Sequence, residues 1–104
     1  MIRAWYTRGE GGNELDICGH AEYGPRGQDI VCAGVSALVY ALVGVLEEIA
    51  EDVAEVEGPV FEEGRIYLRC RGGERTETAF RMAVVGLRQM AGAYPRHLVL
   101  TERL

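Results

Sequence analysis

Residues 29–46, DIVCAGVSALVYALVGVL, decide how this chain is to be read. The uncharged run from Ile30 to Leu46 is 17 residues long, just short of the ~20 that span a bilayer. It holds Cys32, Gly34, Ser36, Tyr40 and Gly44, and it reads as a buried helix of a soluble protein. Asp29 stands directly ahead of it, where a carboxylate accepts the free N–H groups of a first helical turn, so the helix is expected to begin at about Ile30 with Cys32 in its first turn. Val31, Val35, Leu38, Leu42, Leu46, Ile49 and Val53 follow one helical face, while Val39, Tyr40 and Val43 make much of the other apolar. Such a helix is expected to be covered on both sides.

Working outward, Ile2, Ala4 and Tyr6 alternate with Arg3, Trp5 and Thr7, and Leu15, Ile17 and Gly19 alternate with Asp16 and Cys18. This period of two marks strands. The glycines of the segment from Arg8 to Asn13 join them as an antiparallel hairpin with a slightly long turn. His20 to Gln28, with Gly24, Pro25 and Gly27, is a polar loop able to move over a site. Beyond the helix, Glu47, Glu48, Glu51 and Asp52 mark its emergence into water, and Gly58-Pro59 stops any regular element, leaving room for a short edge strand around Ala54 to Glu57. Ile66, Leu68 and Cys70 alternate with Arg65, Tyr67, Arg69 and Arg71 as the clearest strand of the chain. A second helix is expected from about Thr76 to Ala93, ended by Pro95, and Leu98 to Leu100 form a last strand. The class is α+β: an antiparallel or mixed sheet with two helices, in the order strand, strand, helix, strand, helix, strand, with the edge strand optional. Residues 1–104 show no linker or repeat and are read as one domain.

A net charge of −5 disfavours phosphate neutralisation, so nucleic acid is not an expected partner. All 11 basic residues are Arg, which removes lysine nucleophiles, Schiff-base lysines and P-loop lysines. Three cysteines, an odd number, fit reduced thiols better than a disulfide framework, and no stretch near Met1 has signal-peptide length, so a cytoplasmic location is expected.

Chemistry is to be sought in His20 and Cys32, because imidazole is the common base at neutral pH and a thiolate the strongest ordinary nucleophile. A cysteine in a first helical turn feels the positive end of the helix dipole, which favours its thiolate. The N–H groups of Cys32, Ala33 and Gly34 are candidates for holding the oxyanion formed when a thiolate attacks a carbonyl. Cys18 and Cys70 read as packing residues, His97 as a surface or satisfied histidine. Asp29 is read first as a helix cap and second as a group orienting His20.

The stretch Gly19-His20-Ala21, Gly24, Gly27 and Asp29-Ile30-Val31-Cys32-Ala33-Gly34-Val35-Ser36-Ala37-Leu38 resembles the ribosomal-processing cysteine protease family, Prp. The resemblance implies that Cys32 is the catalytic cysteine and His20 the catalytic histidine. It further implies removal of a short N-terminal extension from large-subunit ribosomal protein twenty-seven, a homodimer, and a mobile loop over the site. Gly34 stands where the family pattern suggests alanine, which bears on pocket shape and on the hold of the helix start. The reaction needs no metal or organic cofactor, and no membrane is involved. Two other readings are a non-catalytic dimeric ribosome-associated adaptor, and a zinc site built from Cys18, His20, Cys32 and Cys70, whose spacing lacks the short pairs of structural zinc sites.

Overall fold

The computed structural model describes all residues from Met1 to Leu104. The elements run β1 (Ile2–Gly9), β2 (Gly12–Cys18), α1 (Ile30–Glu48), β3 (Val53–Glu62), β4 (Arg65–Gly72), α2 (Glu74–Ala93) and β5 (Leu98–Arg103). The strands form one mixed sheet in the order β3-β4-β2-β1-β5, with β5 parallel to β1 and every other pair antiparallel. Alternate residues of a strand point to opposite faces. Ile2, Ala4 and Tyr6 of β1, Leu15 and Ile17 of β2, and Leu68 and Cys70 of β4 are all buried and share one cluster with Val31, Val35, Val39 and Leu42 of α1 and Ala79, Phe80, Ala83, Val84 and Leu87 of α2. Two layers result, with the helices on one face of the sheet.

Several expectations are corrected. The β1–β2 turn is only Glu10-Gly11, since Gly9 pairs with Gly12; Gly12 takes a φ of +95, and a Cβ there would meet the Cys70 carbonyl at 2.5 Å. Asn13, expected in the turn, is fully buried, donating to Glu77 and accepting from the Tyr6 hydroxyl. The optional edge strand is a full ten residues and passes through Gly58-Pro59, whose peptide bond is cis. Proline is tolerated because β3 is an outer strand whose unpaired side needs no donor, and the ladder with β4 is irregular between Glu57 and Val60. Cys18 is only half-buried on the sheet face away from the helices, so it is no core residue.

Helix α1 is covered on one side only. Val31, Val35, Val39 and Leu42 are buried, whereas Tyr40 and Ile49 are 61% and 62% exposed. Its outer face stays apolar, and the Tyr40 ring stacks on Phe61 of β3 at 5.0 Å. The helices meet through glycines: Leu38 lies over Gly86, where a Cβ would come within 2.6 Å of its methyl, and Met90 lies over Gly34 at the same distance. Helix α2 begins at Glu74 rather than Thr76 because Asp52, far back in the chain, caps it. The Asp52 carboxylate accepts from Arg75 N–H at 2.8 Å, Thr76 N–H at 3.0 Å and the Thr76 hydroxyl at 2.6 Å.

Candidate active site

The site forms at the end of the sheet where β2 stops and β1, β4 and β5 start. Gly19 turns the chain out of β2 with a φ of +93; a Cβ there would run into the Met1 carbonyl, and its N–H donates to the Gly64 carbonyl at 2.9 Å. That anchor places His20 next to the β3–β4 turn, so close that a Cβ on Gly64 would lie 3.3 Å from His20 Nε2. The His20 side chain is exposed. Ala21 then turns inward and is fully buried. Its N–H donates to Cys32 Sγ at 3.4 Å, within range for a bond to sulfur.

Asp29 fixes both the helix and the loop. One carboxylate oxygen accepts from Val31 N–H at 3.0 Å and Cys32 N–H at 3.1 Å, the other from Tyr23 N–H at 3.0 Å and Gly24 N–H at 3.3 Å. Burial acts to raise its carboxyl, but the four backbone donors outweigh it and hold Asp29 below the ordinary carboxylate value. With both oxygens so occupied, Asp29 orients no imidazole; it is a cap and a loop clamp.

His20, Asp29, Cys32 and Ala33 line a single cleft of about 510 Å³ together with Ser36, Glu22, Arg26 and Glu63. A second hollow of about 360 Å³ continues from it toward the sheet, sharing His20, Cys32, Ser36, Arg26 and Glu63 and adding Ile2, Ile17 and Ile66. Arg26 and Glu63 pair across the opening at 3.2 Å. Sequence reasoning did not single out Ser36, although its place one turn after Cys32 on the same helical face was a signal. It also passed over Arg26 and Glu63, which only the tertiary fold brings to the cleft.

The oxyanion role expected of Cys32, Ala33 and Gly34 does not fit this arrangement. Cys32 N–H is given to Asp29 Oδ1, Ala33 N–H donates to the Asp29 carbonyl at 3.0 Å, and Gly34, fifth in the helix, has its N–H in the helical ladder. Gly34 does not shape the pocket either, because it faces Met90 of α2. The four side chains of the zinc reading do not converge on one point. Cys18 and Cys70 sit five residues apart along the β2–β4 ladder, about 17 Å at strand rise, and no three His, Cys, Asp or Glu side chains converge.

The profile of the family described as Cysteine protease Prp matches residues 1–99. The chain belongs to the cysteine protease Prp family. It is 29% identical over 90 residues to the ribosomal processing cysteine protease Prp of Mycoplasma genitalium, covering 86% of this chain and 88% of that protein. To the ribosomal processing cysteine protease Prp of Bacillus subtilis it is 27% identical over 111 residues, covering 100% and 99%. In fold it is similar to the essential ribosomal processing protease Prp from S. aureus, solved with a covalently linked product peptide, with a TM-score of 0.86 at 22% identity over 99% of this chain and 100% of that one. A Prp protease needs a reactive thiol, and the three cysteines differ sharply as candidates. Burial pushes the Cys70 thiol up, with Asp52 adding to it, and Cys70 is 1% exposed. The Cys18 thiol is raised by desolvation and by the neighbouring Asp16 carboxylate, to which it donates at 3.7 Å. Both shifts oppose a thiolate. Cys32 alone opens on the cleft that His20 also lines, with an N–H aimed at its sulfur.

Proposed function

We propose that this protease removes a short N-terminal extension from large-subunit ribosomal protein twenty-seven during bacterial ribosome maturation, with Cys32 as nucleophile and His20 as its acid and base. The observation that carries the reading is that His20 and Cys32 line one cleft and Ala21 N–H is directed at Cys32 Sγ. The Cys32 thiolate attacks the carbonyl carbon of the scissile peptide, and a carbon–sulfur bond forms. Collapse of the tetrahedral intermediate breaks the carbon–nitrogen bond as His20 protonates the leaving amine. His20 then takes a proton from water, whose oxygen attacks the thioester carbon, and the thiolate leaves. Backbone N–H groups facing a thiolate stabilise it as they would any anion, which suits Ala21.

A ribosomal protein is a basic substrate. Glu22, Glu62 and Glu63 around the two hollows, on a chain of net charge −5, favour its encounter. The cytoplasm, where ribosomes are assembled and thiols stay reduced, is the matching location. The uncovered apolar face of α1 supports a homodimer.

The test is incubation of the host's full-length ribosomal protein with the parent, Cys32→Ala and His20→Ala, read by intact mass. Loss of one defined N-terminal segment with the parent, and a rate lower by a factor on the order of 10³ or more with each variant, is the expected result. A substrate that binds the parent and emerges uncut would replace this reading with a non-catalytic adaptor.

A further inference from the structure

His97 precedes β5, half-buried and far from His20 and Cys32 in sequence. Its backbone is fixed twice, its N–H donating to the Tyr94 carbonyl at 2.9 Å and its carbonyl accepting from Ile2 N–H at 2.9 Å. Its ring Nδ1 lies 2.8 Å from the Ala21 carbonyl. A carbonyl only accepts, so Nδ1 carries the proton and donates it. The same ring meets Tyr23 edge-on at 5.1 Å, and Tyr23 meets Tyr94 in the same manner at 5.4 Å. Ala21 is therefore held on both sides of its residue: its carbonyl is gripped by His97, and its N–H is aimed at Cys32 Sγ.

We infer that His97 is a positioning residue of the protease: by fixing the Ala21 carbonyl it keeps the Ala21 N–H on the nucleophilic sulfur. Among the backbone donors near Cys32 this one is unusual. The N–H groups of Cys32 and Ala33 are taken up by Asp29, so the segment following His20 supplies the donor that faces Sγ. The segment is anchored on either side, by Gly19 N–H on the Gly64 carbonyl and by Tyr23 and Gly24 N–H on Asp29, but the hydrogen bond on the Ala21 carbonyl itself comes from His97. A grip from a rigid strand start sets the N–H direction, because a hydrogen bond weakens steeply as its N–H···acceptor angle bends away from linear. The hydrogen bond of the His97 ring goes to the Ala21 carbonyl and not to Cys32 Sγ. Its effect passes through the Ala21 Cα, from the peptide unit that carries the gripped carbonyl to the one that carries the N–H.

The inference rests on Cys32 being the nucleophile, and the experiment separates the two. Alkylation by iodoacetamide is followed as a function of pH, with the adduct located by peptide mass, in the parent, His97→Ala, His97→Asn and His97→Gln. Asparagine presents an amide donor near the Nδ1 position, whereas glutamine keeps size and polarity with its donor farther out. The charged and titratable groups that line the cleft with Cys32, namely His20, Glu22, Arg26, Asp29 and Glu63, and Tyr23 against the His97 ring with Tyr94 against Tyr23, are common to all four proteins. A difference between them therefore reports the Ala21 peptide. The expected result is an acid limb moved to higher pH in His97→Ala and His97→Gln, with alkylation near neutral pH slower by about tenfold, and parent behaviour in His97→Asn. If His97→Ala does not fold, the comparison of Asn with Gln stands alone. Superimposed profiles, or equal shifts in Asn and Gln, overturn the inference and leave His97 as packing. A parent whose Cys32 does not react overturns instead the assignment of the nucleophile.

Discussion

At the scale of the residue, two glycines make opposite demands. Gly64 carries a φ of +75, and a Cβ on it would sit 3.3 Å from His20 Nε2. Gly64→Ala is expected to cost about 1–2 kcal/mol for the left-handed backbone and to lower kcat/KM by about tenfold or more, because it displaces the imidazole. Gly34→Ala should leave kcat/KM within about twofold. Its new methyl meets only the end of the flexible Met90 side chain, and alanine gains about 1 kcal/mol of helix propensity over glycine. Steady-state cleavage and thermal melting of both variants check this. Loss of activity in Gly34→Ala would mean that the site extends across the helix. Gly34 was legible as a departure in the sequence, but the face it occupies was not, since a glycine carries no polarity to mark a side.

At the scale of the element, α1 and α2 are capped in contrasting ways. Asp29 precedes its own helix by one residue, and its spacing to Val31 and Cys32 announces the cap. Helix α2 has only Gly73 at that position, with no capping side chain of its own. Asp52 supplies it from before β3, a contact no local pattern encodes. The Thr76 hydroxyl, followed by three backbone N–H groups and against an opposing desolvation, holds the Asp52 carboxyl below its ordinary 3.8. A depressed carboxyl stabilises the fold above the unfolded value and loses that contribution as pH falls through the folded one. Asp52→Asn should therefore melt lower than the parent at neutral pH, and the gap should close as the pH drops below about 4. A gap independent of pH would mean that the carboxylate charge contributes nothing to the cap.

At the scale of the whole molecule, the helix layer covers one sheet face and leaves its own outer surface apolar, with an open groove of about 550 Å³ lined by Gly34, Ala37, Leu38, Ala41, Gly86 and Met90 among others. If two copies meet there, Ala41→Arg, a substitution at an exposed position, should give a monomer by sedimentation equilibrium where the parent is a dimer. A parent that is monomeric at high micromolar concentration removes the homodimer from the reading. The sequence by itself determined the α+β class, the start of α1 at Ile30 and the alternation of β1, β2 and β4, and it singled out His20 and Cys32 as the candidate pair, because each is written in short-range periods or in a motif. Tertiary structure alone decided that β3 runs through a proline, that Asp52 caps a helix 22 residues on, that Asn13 turns inward to Glu77, and that His97 grips Ala21. These depend on which polar group is near an unsatisfied donor or acceptor after the chain has folded. Burial makes that pairing obligatory, but sequence distance conceals the partner.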